Sequence, residues 1–323
     1  MLTKDNYREY NAINYSLLSK LSFDPSQVKQ ENKETEAMSF GSLFDCLLTS
    51  SDEFDQKYII ADVKKPTAQL GEFLDIYLYL RRVDIPDEDT YKMAHEEMKA
   101  RNPKLRDGVE KFVERLETEA RPYLDFLEKS KGKTVITNDD FYLATQMQNA
   151  LKTSLFTSKY FNMSFDWETE YQVPLIANIE GAYFKILVDM LLINHAKKEI
   201  IPVDIKTTSE YPNKFQSSVI KYNYLIQASL YWEVIQANYP DYVIKDFTFM
   251  VCSKVLPQKP YLWVADAAAR DYGKYGGKRN GYNFKGWKRL AEELNWHEAT
   301  GLWEYPKEVY DNDGINYIDY FSQ

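Results

Sequence analysis

The stretch Ile201-Pro202-Val203-Asp204-Ile205-Lys206-Thr207-Thr208 is an apolar run that carries one acid and one lysine. We interpret it as a buried strand. Because side chains alternate between the two faces of a strand, Asp204 and Lys206 point to the same face, whereas Val203 and Ile205 point into the core. A strand of this kind places a carboxylate and an ammonium side by side.

A second acid ends another apolar run, which extends from Ala182 to Asp189. If the two runs are adjacent strands, the carboxylates of Asp189 and Asp204 converge with the ammonium of Lys206 on one spot. Such a set of groups suits a divalent cation and a phosphodiester. The alternative is an ordinary structural ion pair in a sheet.

Hydrolysis of a phosphodiester needs an activated water, neutralisation of phosphate charge and help for the leaving oxygen, and Mg²⁺ or Mn²⁺ held by oxygen ligands can supply all three. We predict Asp189 and Asp204 as metal ligands, which the backbone carbonyl of Ile205 could join. Lys206 would hold the attacking water or offset charge on the phosphate.

A third carboxylate lies upstream, in the stretch Trp167-Glu168-Thr169-Glu170-Tyr171. Glu168 and Glu170 share one face of the predicted strand, so the sequence leaves both open. We favour Glu170 as the catalytic acid.

The composition limits the class of protein. The chain has 323 residues with a net charge of −9, which counts against a general nucleic-acid binder. Its two cysteines exclude a four-cysteine zinc site or iron–sulfur cluster within one chain. We find no apolar run long enough to cross a bilayer and no apolar signal core at the N-terminus. We therefore expect a cytoplasmic protein without a membrane partner.

Positive charge is concentrated between Arg270 and Arg289, where seven basic residues and one acid give a window of +6. Aromatic residues and five glycines are interleaved with these charges. Cations, stacking rings and flexible backbone together suit single-stranded DNA or a duplex end. A solvated basic loop is the alternative. The residues that we predict to contact DNA are Lys278, Arg279, Lys285 and Lys288.

The order of predicted elements indicates one α/β domain over residues 1–323, with a mixed central sheet flanked by helices. We expect a helical N-terminal lobe over 1–160, a catalytic core over 161–265, and a basic and aromatic extension over 266–323. The strands that we predict cover residues 167–176, 182–193, 199–206, 246–253 and 261–265. A long helix is predicted from about residue 217 to residue 237.

Gln227 and Tyr231 lie four residues apart on that helix and share one of its faces. With Asp189 and the Asp204-Ile205-Lys206 stretch, they resemble the PD-(D/E)XK nuclease superfamily in its RecB-like exonuclease branch. The chain looks most like the phage-type RecE and lambda-exonuclease relatives. The branch has G-x-x-x-H, then an acid, then (D/E)-x-K, then Q-x-x-x-Y.

The stretch Gly41-Ser42-Leu43-Phe44-Asp45 is similar to the glycine motif of this branch, but Asp45 stands at the histidine position. An aspartate is an oxygen ligand and could still hold Mn²⁺ or Mg²⁺, with a changed metal preference. The resemblance also implies that Gln227 and Tyr231 hold DNA and the region of the active-site lysine.

The resemblance implies a restriction-endonuclease-like fold and a metal-dependent deoxyribonuclease, an exonuclease of phage or prophage recombination acting on linear DNA with ends. It further implies a homo-oligomeric ring and a single-strand annealing protein as partner. Two alternatives stay open. One is a catalytically inactive nuclease fold that binds DNA or protein, and the other is a structure-specific endonuclease of the same fold.

Overall fold

A computed structural model describes residues 3, 6–31, 35–83, 87–279 and 282–315. The chain forms two compact units, one made of Met1–Ser51 with Leu143–Gln323 and the other made of Asp52–Tyr142. We call them the sheet unit and the helical unit. The helical lobe predicted for residues 1–160 is thus distributed over both units, and the single-domain organisation stays a prediction.

The strands and helices have the following bounds. The strands are β1 Tyr58–Ile60, β2 Thr134–Ile136, β3 Glu168–Ile179, β4 Ala182–Asn194, β5 Glu199–Thr208, β6 Val243–Ile244, β7 Phe247–Ser253, β8 Tyr261–Ala265, β9 Gly276–Arg279 and β10 Tyr282–Lys285. The α-helices are α1 Tyr15–Phe23, α2 Glu36–Thr49, α3 Phe54–Lys57, α4 Ala68–Leu80, α5 Asp87–Arg101, α6 Val109–Thr118, α7 Arg121–Lys129, α8 Asn138–Thr153, α9 Ser158–Phe161, α10 Phe215–Lys221, α11 Tyr224–Asn238, α12 Ala267–Tyr275, α13 Trp287–Thr300 and α14 Lys307–Asp311. Short 3₁₀ helices cover Pro25–Lys29, Ser51–Glu53, Arg81–Val83 and Pro212–Lys214.

The sheet unit is built on a mixed sheet with the strand order β3-β4-β5-β7-β8, and β6 also pairs with β5. β3, β4 and β5 are antiparallel neighbours, whereas β5 and β7 run parallel. The parallel pair requires a crossover, and α10 and α11 provide it. This mixed sheet with flanking helices confirms the predicted α/β class, and the predicted strands are confirmed with shifts of one to three residues at their ends.

The turn between β3 and β4 follows from its sequence. Glu180 and Gly181 both have positive φ, at 53° and 91°. Two such residues in a row are what a tight hairpin turn requires. The side chain of Asn178 accepts a hydrogen bond from the Gly181 amide at 3.1 Å and closes the turn.

The core of the sheet unit lies between α11 and one face of the sheet. Alternate residues of β4 and β7 face the helix, among them Phe184, Ile186 and Phe249. Residues on both sides of α11 are buried, including Leu230 and Val234. Because α11 is covered all round, the polar side chains that it carries at its N-terminal end are held in fixed positions.

The predicted long helix is interrupted, since α10 ends at Lys221 and α11 begins at Tyr224. Asn223 between them adopts a left-handed conformation, with φ 56° and ψ 39°. Asparagine tolerates this region better than most residues. The apolar pattern continues through both helices, so the pattern alone did not show the break.

The helical unit has its own core, formed where α4, α5 and α6 pack together. Phe73 and Phe112 stack at 4.9 Å between ring centroids, and both are fully buried. β1 and β2 form a short parallel pair in the same unit. None of the described helices combines the length and the apolar composition that a membrane span requires.

Candidate active site

Asp204 and Lys206 lie on the face of β5 that is covered by α11. Asp204 is 3% exposed. Its Oδ1 accepts a hydrogen bond from Gln227 Nε2 at 2.6 Å, and its Oδ2 lies 2.7 Å from Lys206 Nζ. The helix residue Gln227 therefore fixes the orientation of the strand acid, and Lys206 lies beside that acid.

Asp189 joins this pair where β4 and β5 part. Their paired register ends at Met190 and Val203, so the next backbone groups of β5 have no strand partner on that side. The Ile205 amide instead donates to Asp189 Oδ2 at 2.7 Å. Because the amide and the carbonyl of one residue lie on the same edge of a strand, the Ile205 carbonyl also faces this gap.

The other oxygen of Asp189 contacts the neighbouring strand. Gln172 Nε2 donates to Asp189 Oδ1 at 3.3 Å. Gln172 has a φ of 51° and lies between the paired residues Tyr171–Met190 and Val173–Val188, so it forms an irregularity in β3. Such irregularities commonly re-aim a side chain next to a functional site.

A third carboxylate, that of Asp45, approaches from α2. Burial raises the pKa of Asp45 to about 7, with Asp204 adding to the rise and Lys206 opposing it. Burial also raises the pKa of Asp189 well above its ordinary value, and Asp204 and Asp45 contribute to that rise. The three carboxylates therefore act on one another, and together they oppose a single ammonium. We call Asp45, Asp189, Asp204 and Lys206 the carboxylate centre.

Lys206 is the cation of this centre. Burial disfavours its charged form, but the attraction of Asp204, then of Tyr224 and Asp189, is larger and raises the pKa of Lys206 above its ordinary value. Its Nζ lies 4.9 Å from the centroid of the Tyr224 ring. Lys206 is therefore an ammonium at neutral pH. It can donate hydrogen bonds to a water or a phosphate oxygen, but it cannot accept a proton.

The N-terminal segment brings Tyr15 close to Lys206. Lys185 on β4 is buried and donates from Nζ to the carbonyls of Tyr7 at 2.8 Å and Tyr10 at 2.7 Å. Ile13 pairs with the same strand. Tyr15 begins α1 directly afterwards, and its hydroxyl donates to the Tyr222 carbonyl. Burial raises the pKa of Tyr15 and the charge of Lys206 opposes that rise, so the buried Lys185 fixes a segment whose tyrosine lies near Lys206.

The donor set fits a hard divalent cation. Carboxylate and carbonyl oxygens are the ligands that Mg²⁺ and Mn²⁺ prefer. Gln227 Oε1 is buried with no hydrogen-bond partner among the described residues, and Asp204 Oδ2 has only its ion-pair contact with Lys206. The excess of negative charge is what a divalent ion would neutralise. As the side chains stand, no trio of His, Cys, Asp or Glu in the described ranges is already arranged as a complete metal site.

The role of Glu170 as the catalytic acid stays a prediction. Glu170 lies opposite Leu191 in the register of β3 and β4, two positions from Asp189. Its carboxylate acts on Tyr239, as does that of Glu168, whereas the carboxylates that act on Asp189 are those of Asp204 and Asp45.

Tyr231 is buried beneath the carboxylate centre and does not line an exposed groove. Its ring meets Phe247 edge-on, at 5.9 Å between centroids. Burial raises the pKa of Tyr231 well above its ordinary value. Tyr231 also lies near enough to Asp204, Lys206 and Asp189 for their charges to act on it, and its role at the site stays a prediction.

The basic window between Arg270 and Arg289 is paired with acids that lie elsewhere in the chain. Lys285 Nζ lies 2.6 Å from Glu293 and 2.7 Å from Glu308. Lys288 is paired with Glu180. The phosphate contacts of Lys285 and Lys288 stay predictions, and both cations already have an acidic partner within the fold. A count of charge within a sequence window omits acids that the fold brings to it.

The other two predicted DNA contacts are Lys278 and Arg279. Lys278 is exposed on β9. The side chain of Arg279 lies outside the described part of the chain. Both stay predictions.

Gln172 and Tyr224 belong to the site and were not predicted as site residues. Tyr224 is three residues before Gln227, so the two share a helix face, and that spacing was an available signal. Gln172 had no such signal, because it reaches Asp189 only through the irregular backbone of β3.

The profile of the PDDEXK-like domain of unknown function (DUF3799) matches residues 24–266. A solved structure from Eubacterium rectale, named "Putative exonuclease", is 12% identical with a TM-score of 0.49, covering 100% of this chain and 96% of its own. A second solved structure, that of the protein SSO0001, is 11% identical to this chain with a TM-score of 0.26. The match covers 92% of this chain and 90% of the chain of SSO0001.

No curated protein matches the chain significantly. The profile match spans most of the sequence and includes Asp45, Asp189, Asp204, Lys206 and Gln227. It confirms the predicted superfamily and supports a nuclease. The chain therefore belongs to the PDDEXK-like family DUF3799, within the PD-(D/E)XK superfamily.

Proposed function

We propose that this protein is a deoxyribonuclease that depends on a divalent metal ion. The observation that carries the proposal is the carboxylate centre, in which the partly buried carboxylates of Asp45 and Asp189 and the buried carboxylate of Asp204 act on one partly buried ammonium, that of Lys206. A structural ion pair needs one acid and one base. Three acids that repel one another raise the free energy of the metal-free fold, and a bound cation would relieve this repulsion.

Asp45, Asp189, Asp204 and the Ile205 carbonyl would hold Mg²⁺ or Mn²⁺. When bound, the ion would supply an activated water and neutralise phosphate charge. Gln227 holds Asp204 in place through the 2.6 Å hydrogen bond. Lys206 stays protonated and donates to the attacking water or to a phosphate oxygen, where it stabilises negative charge that develops during the reaction.

We further propose that the enzyme is an exonuclease that degrades DNA from its ends in phage or prophage recombination. This finer statement rests on the resemblance to RecE and lambda exonuclease. The homo-oligomeric ring and the single-strand annealing partner rest on the same resemblance.

The test is digestion of linear and closed circular DNA of the same sequence with Mg²⁺, with Mn²⁺, and with EDTA. We expect loss of linear DNA only, with either ion and not with EDTA. Nicking of the circle would establish an endonuclease. No cleavage of either form, with DNA binding retained, would establish an inactive scaffold. Lys206→Ala serves as the negative control for a contaminating nuclease.

A further inference from the structure

The break between α10 and α11 lies directly beside the carboxylate centre. Its left-handed residue, Asn223, is anchored by a hydrogen bond from its Nδ2 to Ser22 Oγ at 2.8 Å. The carbonyl of Tyr222 accepts the Tyr15 hydroxyl, and the Ile226 amide donates to the Asn223 carbonyl at 2.9 Å. An uncommon conformation that is held by several contacts next to a reactive centre points to a functional role.

The break exposes one aromatic ring and buries the next. Tyr222 is 43% exposed. Tyr224, two residues later, stacks on Phe215 at 5.6 Å and packs against Phe249 at 5.7 Å. The centroids of Tyr222 and Tyr224 are 5.6 Å apart, so the exposed ring rests on a rigid aromatic base.

The exposed ring is also close to the catalytic lysine. Tyr224 lies 4.9 Å from Lys206 Nζ and 5.6 Å from Tyr222, so the Tyr222 centroid is no farther from Nζ than the sum of these distances, about 10.5 Å. At 3.4 Å per nucleotide along one stacked strand, that is a reach of about three nucleotides. A cation, Lys221 Nζ, lies 5.1 Å from the centroid of Tyr222.

We propose that Tyr222 and Lys221 form a subsite for one unpaired nucleotide of the DNA strand whose phosphate meets Lys206. The proposal rests on the proposed nuclease function and specifies its substrate. The ring offers a stacking surface to the base, and the ammonium offers a counter-charge to the phosphate. Aromatic stacking accepts any base, so the subsite would select unpaired strands without selecting sequence.

An unpaired nucleotide fits this subsite better than a base pair does. Bases inside a duplex are already stacked on both faces, so unstacking one of them costs a few kcal/mol. A single strand or a frayed end meets a smaller cost. The subsite therefore favours single-stranded or tailed DNA over blunt duplex.

The experiment measures binding in a Lys206→Ala background, which removes cleavage. Fluorescein-labelled single strand and blunt duplex of one sequence are titrated in Mg²⁺ by anisotropy. We expect Tyr222→Ala to weaken single-strand binding about 5- to 150-fold, the range for loss of one base–aromatic stack, and to change duplex binding far less. Tyr222→Phe should bind within about twofold of the parent, because the stacking surface is kept.

Tyr183→Ala is the matched control, since Tyr183 is 57% exposed on β4. In a second series of single strands, one nucleotide at a time near each end is replaced by an abasic nucleotide. At one position of the abasic nucleotide, Tyr222→Ala should no longer weaken binding, because the base that stacks on Tyr222 is missing. Equal weakening by Tyr222→Ala and Tyr222→Phe, or equal loss of duplex and single-strand binding, would refute stacking.

The outcomes separate the subsite from the proposed function. If the wild-type protein cleaves DNA and Tyr222→Ala binds single strands as Tyr183→Ala does, the subsite is refuted and the nuclease stands. If the wild-type protein neither cleaves nor binds DNA, the nuclease function is refuted and the subsite with it.

Discussion

The carboxylate centre and the basic window differ in how their charges are matched. In the centre, Asp45, Asp189 and Asp204 share one ammonium. In the window, Lys285 alone meets two glutamates, and Arg289 contacts the same two. The sequence marks both regions by their charged residues. Only the fold shows that the centre is unbalanced, whereas Lys285, Lys288 and Arg289 of the window are matched by acids from elsewhere in the chain.

The difference indicates where a charged ligand is needed. A compensated cluster is satisfied by its own residues and mainly contributes to stability. An uncompensated and buried cluster raises the free energy of the fold and becomes favourable when an ion of opposite charge binds. The centre therefore has the character of a binding site, and the window has the character of a structural ion-pair network.

The largest expected effect is on cleavage. Lys206→Ala should lower the cleavage rate of linear DNA by about 10²- to 10³-fold, because it removes a preorganised donor at the reacting phosphate. Lys206→Arg should not restore the rate, since a planar guanidinium differs from an ammonium in shape and donor geometry. DNA binding should largely persist. A Lys206→Ala protein that cleaves at a near-normal rate under saturating Mg²⁺ would remove the lysine from the mechanism.

Asp204→Asn gives a companion test at the same centre. It should lose cleavage by weakening metal binding, and the loss should be reduced as the Mn²⁺ concentration rises. Lys288→Ala is the control from the basic window, because its ion pair with the exposed Glu180 contributes little to stability. Equal losses in the centre and window variants would remove the distinction between the two regions.

The second effect is on stability as a function of pH. In EDTA, the pKa of Asp45 is about 7 in the folded state, against an ordinary value of 3.8. Because the folded state keeps this proton to higher pH than the unfolded state does, the stability that this group contributes is fully present below about pH 4, and up to a few kcal/mol of it is lost as pH rises through 7. Asp189 shifts in the same direction. Urea denaturation between pH 4 and pH 8 checks this slope, which Asp45→Asn should reduce.

The window should show the opposite slope. Burial, the largest single influence, would raise the pKa of Glu308, but the hydrogen bond from Lys285, a backbone hydrogen bond and the charges of Lys285 and Arg289 together lower it. Stability from this group is present above its ordinary value of 4.5 and is lost as pH falls through the lowered pKa. Added Mg²⁺ should stabilise the wild-type protein more at pH 8 than at pH 5.5, because ligands must lose protons to bind it. A Mg²⁺ effect that does not change with pH would argue against carboxylate ligands.

The third effect is the response of the window to loss of a cation. Lys285→Met leaves two glutamates with Arg289 as their shared partner, and we expect a loss of about 2 kcal/mol, below the range for a buried ion left alone. The salt dependence of DNA binding should not change. Had Lys285 contacted a phosphate, the log–log slope would fall by about 0.7 to 0.9. Lys278→Ala, at an exposed position on β9, is the comparison variant, and a lower slope there would keep Lys278 as a DNA contact.

The comparison also shows what the sequence could predict. The Asp204–Lys206 pair follows from strand alternation, and Gln227 follows from helical spacing, because both are local periodicities. Asp45 came from resemblance and was placed at the centre by α2. Gln172 could not be predicted, because it reaches Asp189 through an irregular backbone that no alternation rule describes.

The charge balance of the basic window could not be predicted for a different physical reason. Lys285 and Glu308 are 23 residues apart and meet only after folding. Composition within a window gives its formal charge but not its compensation. Asn223 likewise breaks a helix whose apolar pattern is continuous, since the break depends on tertiary contacts with Ser22 and Tyr15.

The smallest effect compares one glycine from each region. Gly41 precedes Asp45 by one helical turn, so the two share a face. A methyl group at Gly41 would meet no described heavy atom within 4 Å, whereas one at Gly286 would lie 2.2 Å from the Lys274 carbonyl oxygen. Gly41→Ala should therefore raise stability by about 0.5 to 1 kcal/mol, because alanine costs less backbone entropy in a helix.

Gly286→Ala should destabilise the fold through its clash with backbone. If DNA passes over the face of α2 beside Asp45, Gly41→Leu should lower cleavage while the fold stays intact, because the longer side chain occupies the space that the substrate needs. Denaturation and cleavage are measured on the same preparations. Full cleavage by Gly41→Leu would place the DNA elsewhere, and a destabilised Gly41→Ala would show that this face of α2 is packed like the window.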